Sequence, residues 1–221
     1  APLKQLELYL GGCQNIFRYS VDELKLEFER LQHLVLWCDR WKIPGKDLIK
    51  IKSLFNLSQL TSLELNLYNC STLTLTELEA FFGVIANLKC LKSLSVDIGN
   101  CPQVDINASI YLQSALTGLN LLERLSVSFS KCRNITCDNG FINFKFPQFL
   151  NELVFLANET ELSNEGLTTL YNSIIGIKTL TILDLRFRGC KRLTDESKLT
   201  LQKIVLHPLI QNVIIHSPFY C

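Results

Sequence analysis

The residues of this sequence best suited to ligate a metal or attack an electrophile are nine cysteines and three histidines: Cys13, Cys38, Cys70, Cys90, Cys101, Cys132, Cys137, Cys190 and Cys221, with His33, His207 and His216. A thiolate or a neutral imidazole can play either role. Their spacing argues against both. Tetrahedral metal sites gather ligands in close pairs such as CxxC. Here the closest cysteines, Cys132 and Cys137, are wider apart, and the histidines form no cluster. His33 and Cys38 would share a strand at an odd separation, so their side chains point to opposite faces and the imidazole is no base for that thiol. The sequence has no glycine-rich phosphate loop and no recognisable catalytic constellation. The chain is therefore expected not to be an enzyme and to use no cofactor or metal. The role of the thiols has to come from how they recur.

Cys13, Cys70, Cys101, Cys132 and Cys190 close one repeated phrase: LKQLELYLGGC from Leu3, LTSLELNLYNC from Leu60, LKSLSVDIGNC from Leu91, LERLSVSFSKC from Leu122 and LTILDLRFRGC from Leu180. Shorter copies start at Leu31, Leu150 and Ile210, which makes eight copies at steps of 28, 29, 31, 31, 28, 30 and 30 residues. Counting from the first residue of each copy, apolar side chains fall at offsets 0, 3, 5 and usually 7, and the five closing cysteines at offset 10. The alternation predicts a strand with one buried face. Beyond the strand the period often changes. Ser20-Val21-Asp22-Glu23 and Thr74-Leu75-Thr76-Glu77 read as capping boxes that open helices. Ser163 leads into a segment with Leu167, Leu170 and Ile174 on one helical face, and Thr194-Asp195-Glu196 opens another. NGFINFKFPQF, residues 139–149, has period two and Pro147, and is expected to be extended or irregular. No strand–turn–helix unit can bury its apolar face alone; stacked side by side, the units form a parallel sheet with a continuous core. Helices need about 10 Å between axes and strands about 4.8 Å, so the stack is expected to curve with its strands on the concave side.

These residues resemble leucine-rich repeats, whose phrase is LxxLxLxxN/CxL. The resemblance covers nearly the whole chain, and the repeat length is similar to that of the ribonuclease-inhibitor-like and cysteine-containing long-repeat classes. Cys190-Lys191-Arg192-Leu193-Thr194-Asp195 is similar to the C-x-x-L-T-D segment of the latter. The resemblance implies an α/β fold: a leucine-rich repeat solenoid, a horseshoe arc with a parallel sheet on the concave face and helices on the convex face, forming a single domain of about eight repeats over residues 1–221. It also implies that the cysteine after each strand points inward and ties down the loop backbone. Two departures stand out. The cysteine comes two positions later than in the family phrase, and an extra apolar residue at offset 7 precedes it, which implies longer strands.

On such an arc, offsets 2, 4, 6 and 8 face the concave solvent. Tyr9, Trp37 and Tyr68 then gather with Glu7, Glu64 and Asp97 towards the N-terminal half, and Arg124, Arg186 and Arg188 towards the C-terminal half. Exposed aromatics and arginines are common anchors of protein interfaces. Tyr9, Trp37 and Tyr68 are expected to form one contact patch for a protein partner and Arg186 and Arg188 a second, in an adaptor or a subunit of a larger assembly. The alternative is a ribonucleoprotein subunit that contacts RNA through Arg124, Lys131, Arg133, Arg186, Arg188, Lys191 and Arg192. A net charge of +1 means that any such patch must be local. No apolar run approaches the roughly 20 residues that span a bilayer. Nine cysteines, an odd number scattered along a chain that can build a core without them, read as reduced thiols in the cytoplasm. A sequence without methionine that starts directly in the repeat points to a processed chain or a piece of a longer protein.

Overall fold

The computed structural model describes residues 3–12, 30–40, 58–135 and 145–219. The helix expected after Ser20, most of the segment 139–149, and Cys13, Cys137 and Cys221 lie outside the described residues. Each copy of the phrase forms a five-residue strand at offsets 2 to 6: β1 Gln5–Tyr9, β2 His33–Trp37, β3 Ser62–Asn66, β4 Ser93–Asp97, β5 Arg124–Ser128, β6 Glu152–Leu156, β7 Ile182–Arg186 and β8 Asn212–His216. They pair in parallel and in sequence order, as one open sheet. The register matches equal offsets throughout, so Leu34, Leu63, Leu94, Leu125, Leu153 and Leu183 stand in one row. All six are buried, as is the parallel row at offset 5 from Leu36 to Leu185. Burying each such side chain contributes about 1.5–3 kcal/mol, and no single unit could bury both sides of its own row.

The strands are no longer than five residues, yet pairing continues beyond them. The N–H at offset 7 donates to the carbonyl at offset 6 of the next unit, as Leu67 does to Asp97 at 2.7 Å. The N–H at offset 9 donates to the carbonyl at offset 8, as Asn69 does to Gly99 at 2.8 Å. The extra apolar position therefore extends the ladder rather than the regular strand. At offset 9 the chain then bends through the left-handed region: Gly12, Arg40, Asn69, Asn100, Lys131, Glu159 and Gly189 all have φ between 55° and 75°. Gly189 suits this bend doubly, because a Cβ there would also lie 2.9 Å from Glu159 Cγ.

One residue later comes the cysteine. Cys70 Sγ donates to the Cys38 carbonyl at 3.1 Å, Cys101 to Leu67 at 3.2 Å, Cys132 to Ile98 at 3.2 Å and Cys190 to Ala157 at 3.0 Å. Every acceptor is offset 7 of the preceding unit. The thiols thus clip each turn to the one before it where the regular strand has ended. All four are buried. Burial pushes the Cys132 thiol up to about 11 and raises those of Cys101 and Cys190 as well. At pH 7 such sulfurs are donors rather than nucleophiles.

Among the described residues, four helices lie between strands: α1 Leu75–Ile85, α2 Asn107–Leu116, α3 Asn164–Ile174 and α4 Ser197–Val205. The capping box at Thr74 is complete, with Thr74 Oγ1 accepting from Glu77 N and Glu77 Oε2 from Thr74 N. Ser163 caps α3 through Gly166 N. Thr194 does not cap α4. Its carbonyl accepts from Ser197 in a turn that precedes the helix. The buried faces of the helices (Leu78, Phe82 and Ile85; Leu112 and Leu116; Leu167 and Leu170; Leu201 and Ile204) join the strand rows in one core. After the fifth strand, Lys145–Pro147 is irregular, as expected for the part of segment 139–149 that is described. Among the described residues, no helix is long and apolar enough to cross a membrane.

Candidate interaction face

The sheet face opposite the core carries offsets 2, 4 and 6, which are mostly exposed or half-buried. At its N-terminal end Tyr9 and Trp37 are register partners. Their rings meet edge to face, with centroids 5.2 Å apart at 75°. Both remain open to solvent, at 60% and 37% exposure. Their polar atoms are held from the side: Trp37 Nε1 donates to Glu64 Oε1 at 2.6 Å, Tyr9 OH donates to Glu7 Oε2 at 2.9 Å, and Gln5 Nε2 donates to Glu7 Oε1 at 2.7 Å. The Tyr9 phenol is held above its ordinary pKa, chiefly by that bond to Glu7, with further contributions from burial and from the charges of Glu7 and Glu64.

Tyr68 and Asp97 both border Gly99. Tyr68 lies over Gly99, where a Cβ would come within 3.2 Å of its ring and 2.8 Å of the Ser130 carbonyl. Asp97 Oδ1 accepts the Gly99 N–H at 2.8 Å. Burial raises the Asp97 pKa, partly offset by that bond and by the Ser128 hydroxyl. A carboxyl whose folded pKa lies above its unfolded one stabilises the fold while protonated, and that contribution is lost as the pH rises between the two values. Asp97→Asn keeps an oxygen for the Gly99 N–H and removes the cost of a half-buried charge. It is expected to raise the urea midpoint at pH 7 and leave it unchanged at pH 2.5. An equal gain at both pH values would assign the effect to packing instead.

The expected arginine group is more dispersed. Arg186 closes on Asp184, with Nη2 2.8 Å from Oδ2 and Nε 3.1 Å from Oδ1. That hydrogen bond holds the guanidinium pKa further up. Arg188 is exposed at offset 8, with its N–H fixed by Asn158 Oδ1 at 2.9 Å. Arg124 sits at the other end of its strand, in register with Ser93 and Glu152. Of the remaining basic residues, Lys131 lies 3.8 Å from Glu159. Glu159 and Glu161 occupy, in the sixth unit, the loop offsets that carry Lys131 and Arg133 in the fifth and Gly189 and Lys191 in the seventh. Acids thus interleave with the bases.

Two features were not anticipated from sequence. Gln5 fixes Glu7 through a bond that depends on side-chain rotamers. Leu201, Val205, Leu206, Val213 and Ile215 line a groove of about 510 Å³ between α4 and β8. Among the described residues, β8 has a neighbouring strand on one side only. Among the described residues, no group of three His, Cys, Asp or Glu side chains is placed to hold a metal ion. No protein-family model matches the chain, and no curated protein matches it significantly.

Proposed function

We propose that the chain is a non-catalytic protein-interaction module of the leucine-rich repeat type, most similar to the long, cysteine-containing repeats. It binds a protein partner on the open face of its sheet, as an adaptor or a subunit of a larger assembly. The observation that carries this reading is the Tyr9–Trp37 pair: two large aromatic side chains kept in solvent by hydrogen bonds on a broad sheet face. Rigid aromatics of this kind supply contact area at low entropic cost. The cytoplasm suits the thiols, because Cys101, Cys132 and Cys190 use their S–H groups as donors to the neighbouring turn, and a disulfide would consume them. The RNA-binding alternative has less support, since Lys131 and Arg186 already face carboxylates, and Glu159 and Glu161 stand between the bases of the fifth and seventh units.

The test is partner capture from native extract by three immobilised forms of the chain. Ser95→Arg with Ser126→Arg blocks the middle of the open face. Thr168→Arg with Asn172→Arg places the same charge on exposed positions of α3. A partner retained by the wild-type and α3 variants and lost by the open-face variant supports the reading. Retention by the open-face variant with loss on α3 overturns it.

A further inference from the structure

This inference rests on the reading above and names the chemistry of the partner. We propose that Glu7, Tyr9, Trp37 and Glu64 form a docking site for a basic segment of the protein partner, taking lysine or arginine side chains. The polarity of the cluster carries the argument. Its two strongest donors are turned inward: the indole N–H of Trp37 is given to Glu64 and the hydroxyl of Tyr9 to Glu7. What remains for an incoming group is acceptor capacity on two carboxylates and the faces of two aromatic rings. An ionised carboxylate accepts about four hydrogen bonds. Glu7 receives two within the cluster and Glu64 one. Among the described residues no cation pairs with either, whereas Asp39 has Arg40 and Glu123 has Lys92.

An acidic or purely apolar occupant would have to cover two carboxylates without supplying a countercharge, which is unfavourable. A lysine or arginine instead lays its aliphatic stem on the aromatic pair, where the head also gains from the ring faces, and places its head against a carboxylate. The site is organised before binding, because the same hydrogen bonds fix the four side chains. Spacing adds a second constraint. Glu7 and Glu64 are at the same offset on β1 and β3, two strands apart, or roughly 10 Å. Basic residues at i and i+3 of a polyproline II segment share one face and are about 9 Å apart.

The probe is a fluorescein-labelled, twelve-residue Gly/Ser peptide with arginine at positions 5 and 8, compared with the same peptide carrying glutamate there, by anisotropy at ~50 mM salt, where such attraction is little screened. The arginine peptide is expected to bind at least tenfold more tightly than the glutamate peptide, and more weakly at ~300 mM salt. Glu7→Gln with Glu64→Gln keeps an acceptor oxygen for Tyr9 and Trp37 while removing both charges. It is expected to lose at least fivefold in affinity with circular dichroism and urea midpoint unchanged. Equal binding of the two peptides, no binding of the arginine peptide at ~1 mM, or full affinity in the double variant overturns the inference. If the arginine peptide fails while the Ser95→Arg, Ser126→Arg variant still loses the partner, this site is wrong and the broader reading stands. If the peptide binds as expected while partner capture ignores the open face, the broader reading fails and the site remains.

Discussion

Phe155→Ala is expected to destabilise the chain by about 3–5 kcal/mol, read as a fall in the urea midpoint. Phe155 is 1% exposed at offset 5 of β6, between Val127 and Leu185 in register. Its ring centroid is 6.0 Å from that of Phe129, itself fully buried at offset 7 of the preceding unit. The cost belongs near the top of the large-to-small range because the neighbours cannot close in. Ladder bonds on both sides hold the adjoining strands at their spacing, and the bonds at offsets 7 and 9 hold the turns too. The denaturant slope carries a second result. In a stack where each unit touches only its neighbours, a weak sixth unit can either lower the stability of the whole or split the array into separately melting parts. A lower midpoint with an unchanged slope means one cooperative unit; a reduced slope means a split at β6. Ile215→Ala, at the same offset on the half-exposed edge strand β8, is expected to cost clearly less. Equal costs at the two positions would contradict a core that deepens away from its ends.

The same gradient explains how much of the fold was readable in the sequence. Offsets 3 and 5 face the core in every unit, so period two and a regular step sufficed to place eight strands and their order. Sequence signals for helices were more local. Thr74 and Ser163 announced α1 and α3 because a cap is a residue type at a fixed spacing. Helix α2 has no such announcement. Its N-cap position is Ile106, without a side-chain hydrogen bond, and Asp105 accepts from Asn107 instead. Its core face is partly alanine, Ala108 and Ala115, which raises little hydrophobic contrast. Neighbouring turns supply what its sequence lacks, since α1 and α2 pack together.

On the open face, parity was enough to place residues on the exposed side, and register to bring Tyr9 next to Trp37. Parity says nothing about rotamers. The indole of Trp37 reaches diagonally, from offset 6 on β2 to offset 4 on β3, to find Glu64. Tyr68 leans over Gly99 on the next turn, where there is no side chain to obstruct it. Sequence spacing groups Arg186 with Arg188 as an expected partner contact, although Asp184 stands two residues away on the same face of the same strand. What sequence did not reveal is that Asp184 is buried, and a buried carboxylate holds its cation.

Arg186 is therefore expected to matter to the fold first. Asp184 is 7% exposed, and its register neighbours are Val154 and Ile214. Removing one partner of a fully buried pair costs about 3–5 kcal/mol. The Arg186 side chain is 45% exposed, so solvent takes up part of the loss, and Arg186→Ala is expected to cost about 1–2 kcal/mol. The opposite substitution should behave differently. Asp184→Val continues the apolar row of Val154 and Ile214 and frees Arg186 to extend into water. It is expected to be neutral or stabilising, because a well-packed apolar side chain replaces a desolvated charge. Once Asp184 is valine, Arg186→Ala should cost almost nothing. The coupling in this double-mutant cycle at pH 7 is then about 1–2 kcal/mol. A coupling below about 0.3 kcal/mol would make the contact an ordinary surface ion pair, and Arg186 would return to the set of residues available to a partner. With the expected coupling, weaker partner binding in Arg186→Ala counts as a contact effect only if Asp184→Val, which leaves the arginine in place and unpaired, binds at least as well as the wild type.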